Sequence, residues 1–293
     1  MASIRRHIGG RRIPAVVAIV SLALGSGCAR QAPADPASGS DIQFPADWAW
    51  SADVAPVTAQ NGMVATVDDY ATQAGLQVLE DGGNAVDAAV TVSLVLAVTH
   101  SSAGNIGGGG FMVLRNADGT TAALDYREKA PLKASHDMYL DENGKLTNKS
   151  LLGPLAVGVP GSVAGLWKAH QRYGKTDWAK LVQPAIDLAD GYVVREEQHR
   201  MIAGSADAIR DFPTTASIFL PGGDVPAVGD TLHQADLAAT LRRIQKDGPD
   251  DFYKGKTADL IVAEMEKDGG LITRQDLEQY EAKWQDPVQF SYR

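Results

Sequence analysis

The segment from Ala85 to Val98 constrains this chain most. Only Asp87, Thr91 and Ser93 interrupt an otherwise apolar run. The run predicts a helix that is apolar nearly all round, and such a helix is stable when buried on all sides. It is too short to cross a bilayer. The chain must therefore build a globular body around it. The flanking residues agree. Asp81-Gly82-Gly83 stops a preceding helix over Tyr70–Leu79, because glycine tolerates the left-handed cap. Asn84, with Asp87 three residues on, sets up a capping box for the apolar run.

The rest of the body reads as helices with one hairpin. Met63–Val67 predicts a short strand. Phe111–Arg115 and Thr121–Arg127 predict strands around Asp118-Gly119, a strong turn signal. Further helices are predicted over Pro160–Tyr173, closed by Gly174, and over Asp177–Leu188, closed before Gly191. Leu237–Gln245 and Thr257–Glu266 follow, and Thr273 with Asp276 caps a last helix. Helices, then a hairpin, then mainly helices suggest an α+β or layered αβ body rather than regular βαβ alternation.

The front end reads as an address. Arg5, Arg6, Arg11 and Arg12 precede an uncharged, mostly apolar stretch over Ile13–Leu24, of signal-peptide length. Gly25-Ser26-Gly27-Cys28 then resembles a lipobox, so residues 1–27 are expected to be a signal peptide and Cys28 a lipidated first residue. An ordinary secretory leader with an incidental cysteine is the alternative. The expected location is the periplasmic side, as a membrane lipoprotein or a soluble periplasmic protein. Residues 28–59, rich in Ala, Pro, Ser and Asp, read as a flexible tether, and 60–293 as the folded part.

Charge excludes some partners. With the four leader arginines set aside, 23 basic residues face 36 acidic ones. Such a body is a poor match for nucleic acid. A single cysteine rules out an intrachain disulfide, and no two histidines stand at a metal-ligand spacing.

Three stretches invite chemistry. Gly107–Gly110 has four glycines, yet it follows an apolar helix and feeds a strand, with no Lys-Ser/Thr behind it. That is not a phosphate loop; close backbone approach to a strand or a ligand is its expected use. Thr99-His100-Ser101 reads locally as a frayed helix end, since adjacent residues on an element point different ways. Arg127-Glu128-Lys129-Ala130-Pro131 reads by composition as a solvated charge cluster, although an arginine at a strand end can present its planar fork to a carboxylate.

Together these strings resemble the γ-glutamyltransferase family. They are Gly62–Ala65, Asp81–Ala89, Ala97–His100, Gly104–Met112, Asp125–Pro131, Val159–Gly165, Gly248–Gly255 and Gly269–Thr273, in family order. The resemblance implies an N-terminal-nucleophile hydrolase, an α+β four-layer αββα sandwich of which this large-subunit stretch is an incomplete part. It implies a precursor that cuts itself before a threonine, leaving a small subunit attached. That threonine takes the γ-glutamyl group of glutathione or another γ-glutamyl donor and passes it to water, an amino acid or a dipeptide, with no cofactor. The family's arginine for the donor α-carboxylate maps onto Arg127. Thr120-Thr121 and Thr214-Thr215 are the only Thr-Thr pairs, and alanine follows both. The nucleophile is therefore expected beyond Arg293, and these residues alone are expected to be inert. Two alternatives remain: a relative acting on a cephalosporin side chain, and a non-catalytic truncated surface protein.

Overall fold

Asp68 opens the first helix, α1 (Asp69–Glu80), by accepting the Ala71 N–H on Oδ1 at 2.9 Å. Gly82, at φ +90°, then lets the chain fold back so that Gly83 N–H reaches the Val78 carbonyl. The second helix, α2 (Ala85–Thr99), begins with the expected box. Asn84 Oδ1 caps Val86 and Asp87, and Asp87 Oδ2 returns to the Asn84 N–H at 2.9 Å. Asp87 is fully buried and also accepts the N–H groups of Lys175 and Thr176. This carboxylate thus ties the start of α2 to a turn almost ninety residues away.

The computed structural model describes residues 56–292. The leader, Cys28 and most of the tether lie outside the described residues. Ala59–Arg293 forms one compact unit. Two expectations for its first part need correction. Met63–Val67 forms no strand, although its burial alternates: Val64 and Thr66 are half-buried while Met63 and Val67 are exposed, and the chain bends at Val67. A period of two in burial does not by itself supply a ladder partner. Nor is α2 buried on every side. Ala89, Val92, Ser93 and Leu96 make a half-buried stripe at helical spacing.

The hairpin pairs β1 (Phe111–Arg115) with β2 (Thr121–Asp125), antiparallel, with Phe111 opposite Asp125 and Arg115 opposite Thr121. Gly119 takes φ +86° in the turn, and Asp118 Oδ1 accepts both the N–H and the hydroxyl of Thr120. Five helices follow: α3 (Ser162–Tyr173), α4 (Trp178–Asp190), α5 (Glu196–Arg210), α6 (Pro213–Phe219) and α7 (Ala235–Asp247). The short strands β3 (Tyr192–Val193) and β4 (Thr231–Leu232) pair between them. Then come α8 (Pro249–Lys254), α9 (Lys256–Asp268) and α10 (Arg274–Glu278), capped by Thr273 and Asp276 as expected. β5 (Lys283–Gln285) returns to lie beside β2.

The main core joins Val90 and Leu94 of α2 to Leu181 and Ala185 of α4 and Leu241 and Ile244 of α7. A second cluster sits under the sheet, where Met112, Leu114 and Leu124 meet Val86, Ala169 and Trp284. Helices cover that face only. On the other face Phe111 and Val113 are 65% and 73% exposed. Among the described residues, helices therefore pack against one face of the three-stranded sheet β1-β2-β5, while β3 and β4 form a separate two-stranded pair. Helix α5 escaped the sequence reading because its buried positions, Gln198, Ile202 and Ala206, form a stripe one residue wide in a polar helix. Among the described residues, no helix is long and apolar enough to cross a membrane.

Candidate active-site strap

The glycine loop, the start of α3 and residues 126–132 meet at the end of the hairpin. The loop's glycines serve close backbone contact. The Gly108 carbonyl accepts the N–H groups of Gly161 and Ser162 at 2.7 and 3.0 Å, so the loop satisfies the otherwise unpaired start of α3. A Cβ on Gly109 would lie 2.8 Å from the Glu128 nitrogen and overlap the Tyr126 carbonyl. Gly110 and Tyr126 exchange both backbone hydrogen bonds. The loop thus backs the strap that follows β2.

That strap corrects the predicted strand. β2 ends at Asp125, two residues short of Arg127. Asp125 Oδ1 accepts the Arg127 N–H at 3.0 Å, and this side-chain turn replaces the ladder. Asp125 and Arg127 are thereby brought together, by a turn rather than by a shared strand face. The Arg127 side chain is exposed, and its Nε lies 3.2 Å from Glu128 Oε2. The pair is close but not aligned, for Glu128 Oε2 has no hydrogen-bond partner. Beside Glu128 lies a cavity of about 180 Å³ whose walls include Ser93, Asn105, Gly109 and Ser162. Arg127 does not line that cavity.

Thr99 is not a free nucleophile. It is buried, and its hydroxyl donates to Asp68 Oδ1 at 2.9 Å. Among the described residues, no group of His, Cys, Asp and Glu is placed to hold a metal. Two residues that the sequence did not single out for the site reach the strap. Asp276 Oδ1 accepts the Leu132 N–H at 2.7 Å, and Tyr280 Oη donates to the Arg127 carbonyl at 2.8 Å. The one local signal was the capping box, which showed Asp276 as a cap and nothing more.

Comparison with known proteins decides the lineage. Residues 71–293 match the family model described as Gamma-glutamyltranspeptidase. The chain belongs to the gamma-glutamyltranspeptidase family. It is 46% identical over 281 residues to the glutathione hydrolase proenzyme of Escherichia coli, covering 94% of this chain and 47% of that protein. Its fold matches the gamma-glutamyltranspeptidase of Helicobacter pylori with a TM-score of 0.79 at 42% identity, over 81% of this chain and 69% of that one. A cephalosporin acylase from Bacillus halodurans shares the fold at a TM-score of 0.74 and 30% identity, over 85% of this chain and 48% of that one. The expected α+β N-terminal-nucleophile fold is therefore that of this family and its acylase neighbours. The chain spans about half the length of the curated relatives it matches.

Proposed function

We propose that the full-length protein is a self-processing γ-glutamyltransferase and glutathione hydrolase, and that Arg127 holds the donor's α-carboxylate. The observation that supports this most is the placement of Arg127. Its guanidinium stands free of the core on a strap backed by the glycine loop, with one unaligned carboxylate as neighbour. A planar fork so presented suits a fixed carboxylate. On this reading the threonine nucleophile comes from a later part of the precursor and takes the γ-glutamyl group as an ester, using its own α-amine as base. Water or an amino acid or dipeptide then accepts the group. Export, with Cys28 as a lipid anchor, belongs to the same proposal and draws on the leader sequence.

Expression of the full-length precursor tests it. Self-cleavage into two subunits that stay together, a new N-terminal threonine, and release of the leaving group from a γ-glutamyl anilide are the expected results. A precursor that never cleaves, or a cleaved enzyme that ignores γ-glutamyl donors, refutes it. The likeness to the cephalosporin acylase supports a second reading. A glutaryl donor lacks the amino-acid head, so the ratio of kcat/KM for γ-glutamyl and glutaryl donors separates the two readings.

A further inference from the structure

Arg127 is held in an unusual way. Among the described residues, neither its N–H nor its carbonyl takes part in a backbone–backbone hydrogen bond. Both are held by side chains. The N–H goes to Asp125 Oδ1, and Asp125 Oδ2 in turn accepts from Gln285 Nε2 at 3.2 Å. The carbonyl accepts from Tyr280 Oη at 2.8 Å. Tyr280 and Gln285 both come from the segment between α10 and the end of β5, about 150 residues along the chain from the strap.

Tyr280 is itself well fixed. Its ring stacks on Tyr253, with centroids 5.6 Å apart and planes at 10°. Tyr253 is anchored by donating to the Pro160 carbonyl at 2.9 Å. The Lys129 ammonium sits 4.9 Å from the centroid of the Tyr280 ring. Gly161 makes room for the hydroxyl, since a Cβ there would overlap it and the Tyr126 carbonyl. Burial, with Asp125 and Glu128 nearby, pushes the Tyr280 pKa up to about 12. The hydroxyl therefore stays protonated, and a donor, at any working pH.

We propose that Tyr280 is a positioning residue for Arg127: its bond to the Arg127 carbonyl sets the direction in which the guanidinium leaves the strap, and so the fit of a donor's α-carboxylate. The proposal rests on the reading of Arg127 given above. A carbonyl that lost this partner would let the Arg127–Glu128 peptide rotate between its two fixed neighbours, Tyr126 on Gly110 and Lys129 on Val159.

The test uses the full-length processed enzyme and two donors: a γ-glutamyl anilide, and a 4-aminobutanoyl anilide that lacks the α-carboxylate. Tyr280→Phe keeps the stacked ring and removes the hydroxyl. Expected is a rise of about tenfold in KM for the γ-glutamyl donor, with kcat and self-cleavage near wild type. On the 4-aminobutanoyl donor, variant and wild type should be equal. In an Arg127→Ala background, Tyr280→Phe should add less than about twofold. Equal losses on both donors, or a full extra loss in the Arg127→Ala background, would show a merely structural role and overturn the proposal. An Arg127→Ala enzyme with undiminished γ-glutamyl turnover would instead remove the premise. Should Tyr280→Phe fail to mature, Gln285→Ala carries the same two-donor comparison. It frees Asp125 at the other side of the Arg127 peptide, and an equal loss on both donors counts against the clamp in the same way.

Discussion

Replacing Arg127 by lysine keeps a positive charge on the strap and removes the planar fork. A charge-assisted fork to a carboxylate contributes about 1.5–3 kcal/mol. On the proposed role of Arg127, a donor's carboxylate would displace a neighbour already there. Nε of Arg127 lies 3.2 Å from Glu128 Oε2, with 64% and 32% of the two side chains exposed. A partly exposed, unaligned pair of this kind is worth about 0.5 kcal/mol. The difference leaves about 1–2.5 kcal/mol for the donor, or roughly 5- to 70-fold in kcat/KM. Lysine should fall near the low end, since its charge remains, and alanine near the high end. The assay is initial rates with a γ-glutamyl anilide over a range of donor concentrations. It is paired with an acceptor titration and a gel that scores self-cleavage. Cleavage and the acceptor's apparent affinity should hold. A lysine enzyme within about twofold of wild type in kcat/KM, or a loss confined to the acceptor's KM, would refute the reasoning.

Three further outcomes are expected. Asp87→Ala removes a fully buried carboxylate that accepts the part-buried N–H groups of Asn84, Lys175 and Thr176 and should destabilise the fold by about 2 kcal/mol, seen as a lower urea midpoint with unchanged slope; a change under about 0.5 kcal/mol would sink its role in tying α2 to that turn. The Asp276 carboxyl is pulled two ways: burial raises its pKa, but hydrogen bonds from the Thr273 hydroxyl and from the N–H groups of Leu132 and Thr273 outweigh it and hold it below the usual range. A depressed acid contributes stability above its unfolded value, about 3.9, and loses it as pH falls through the folded value. Wild-type stability should therefore drop below about pH 4, and Asp276→Asn should flatten that limb; identical acid limbs would count against it. Finally, Cys28→Ala should abolish palmitate labelling and release the protein from membranes, and a labelled variant would end the lipoprotein reading.

Much of the helical frame was legible because its causes are local. The box of Asn84 and Asp87, the glycine stop at Gly82, the hairpin turn at Gly119 and the cap at Thr273 each need only a few neighbouring residues to form. Elements whose stability comes from distant surfaces were hidden. β5 is three residues long and exists because β2 offers an edge, and α5 is held by a single buried stripe. The Met63–Val67 reading failed for the converse reason, since a segment with the right alternation found no strand to pair with.

For the site, the sequence by itself determined which residues are present: an arginine after a hairpin strand, four glycines able to approach a backbone, and the family strings around them. Only the tertiary structure decided how Arg127 is held. Its carbonyl, its supporting aspartate and the end of its strap are bound by Tyr280, Gln285 and Asp276, all from the far end of the chain. A hydrogen bond reaches about 3 Å, so such partners become neighbours only after the core has brought α10 and β5 against the hairpin.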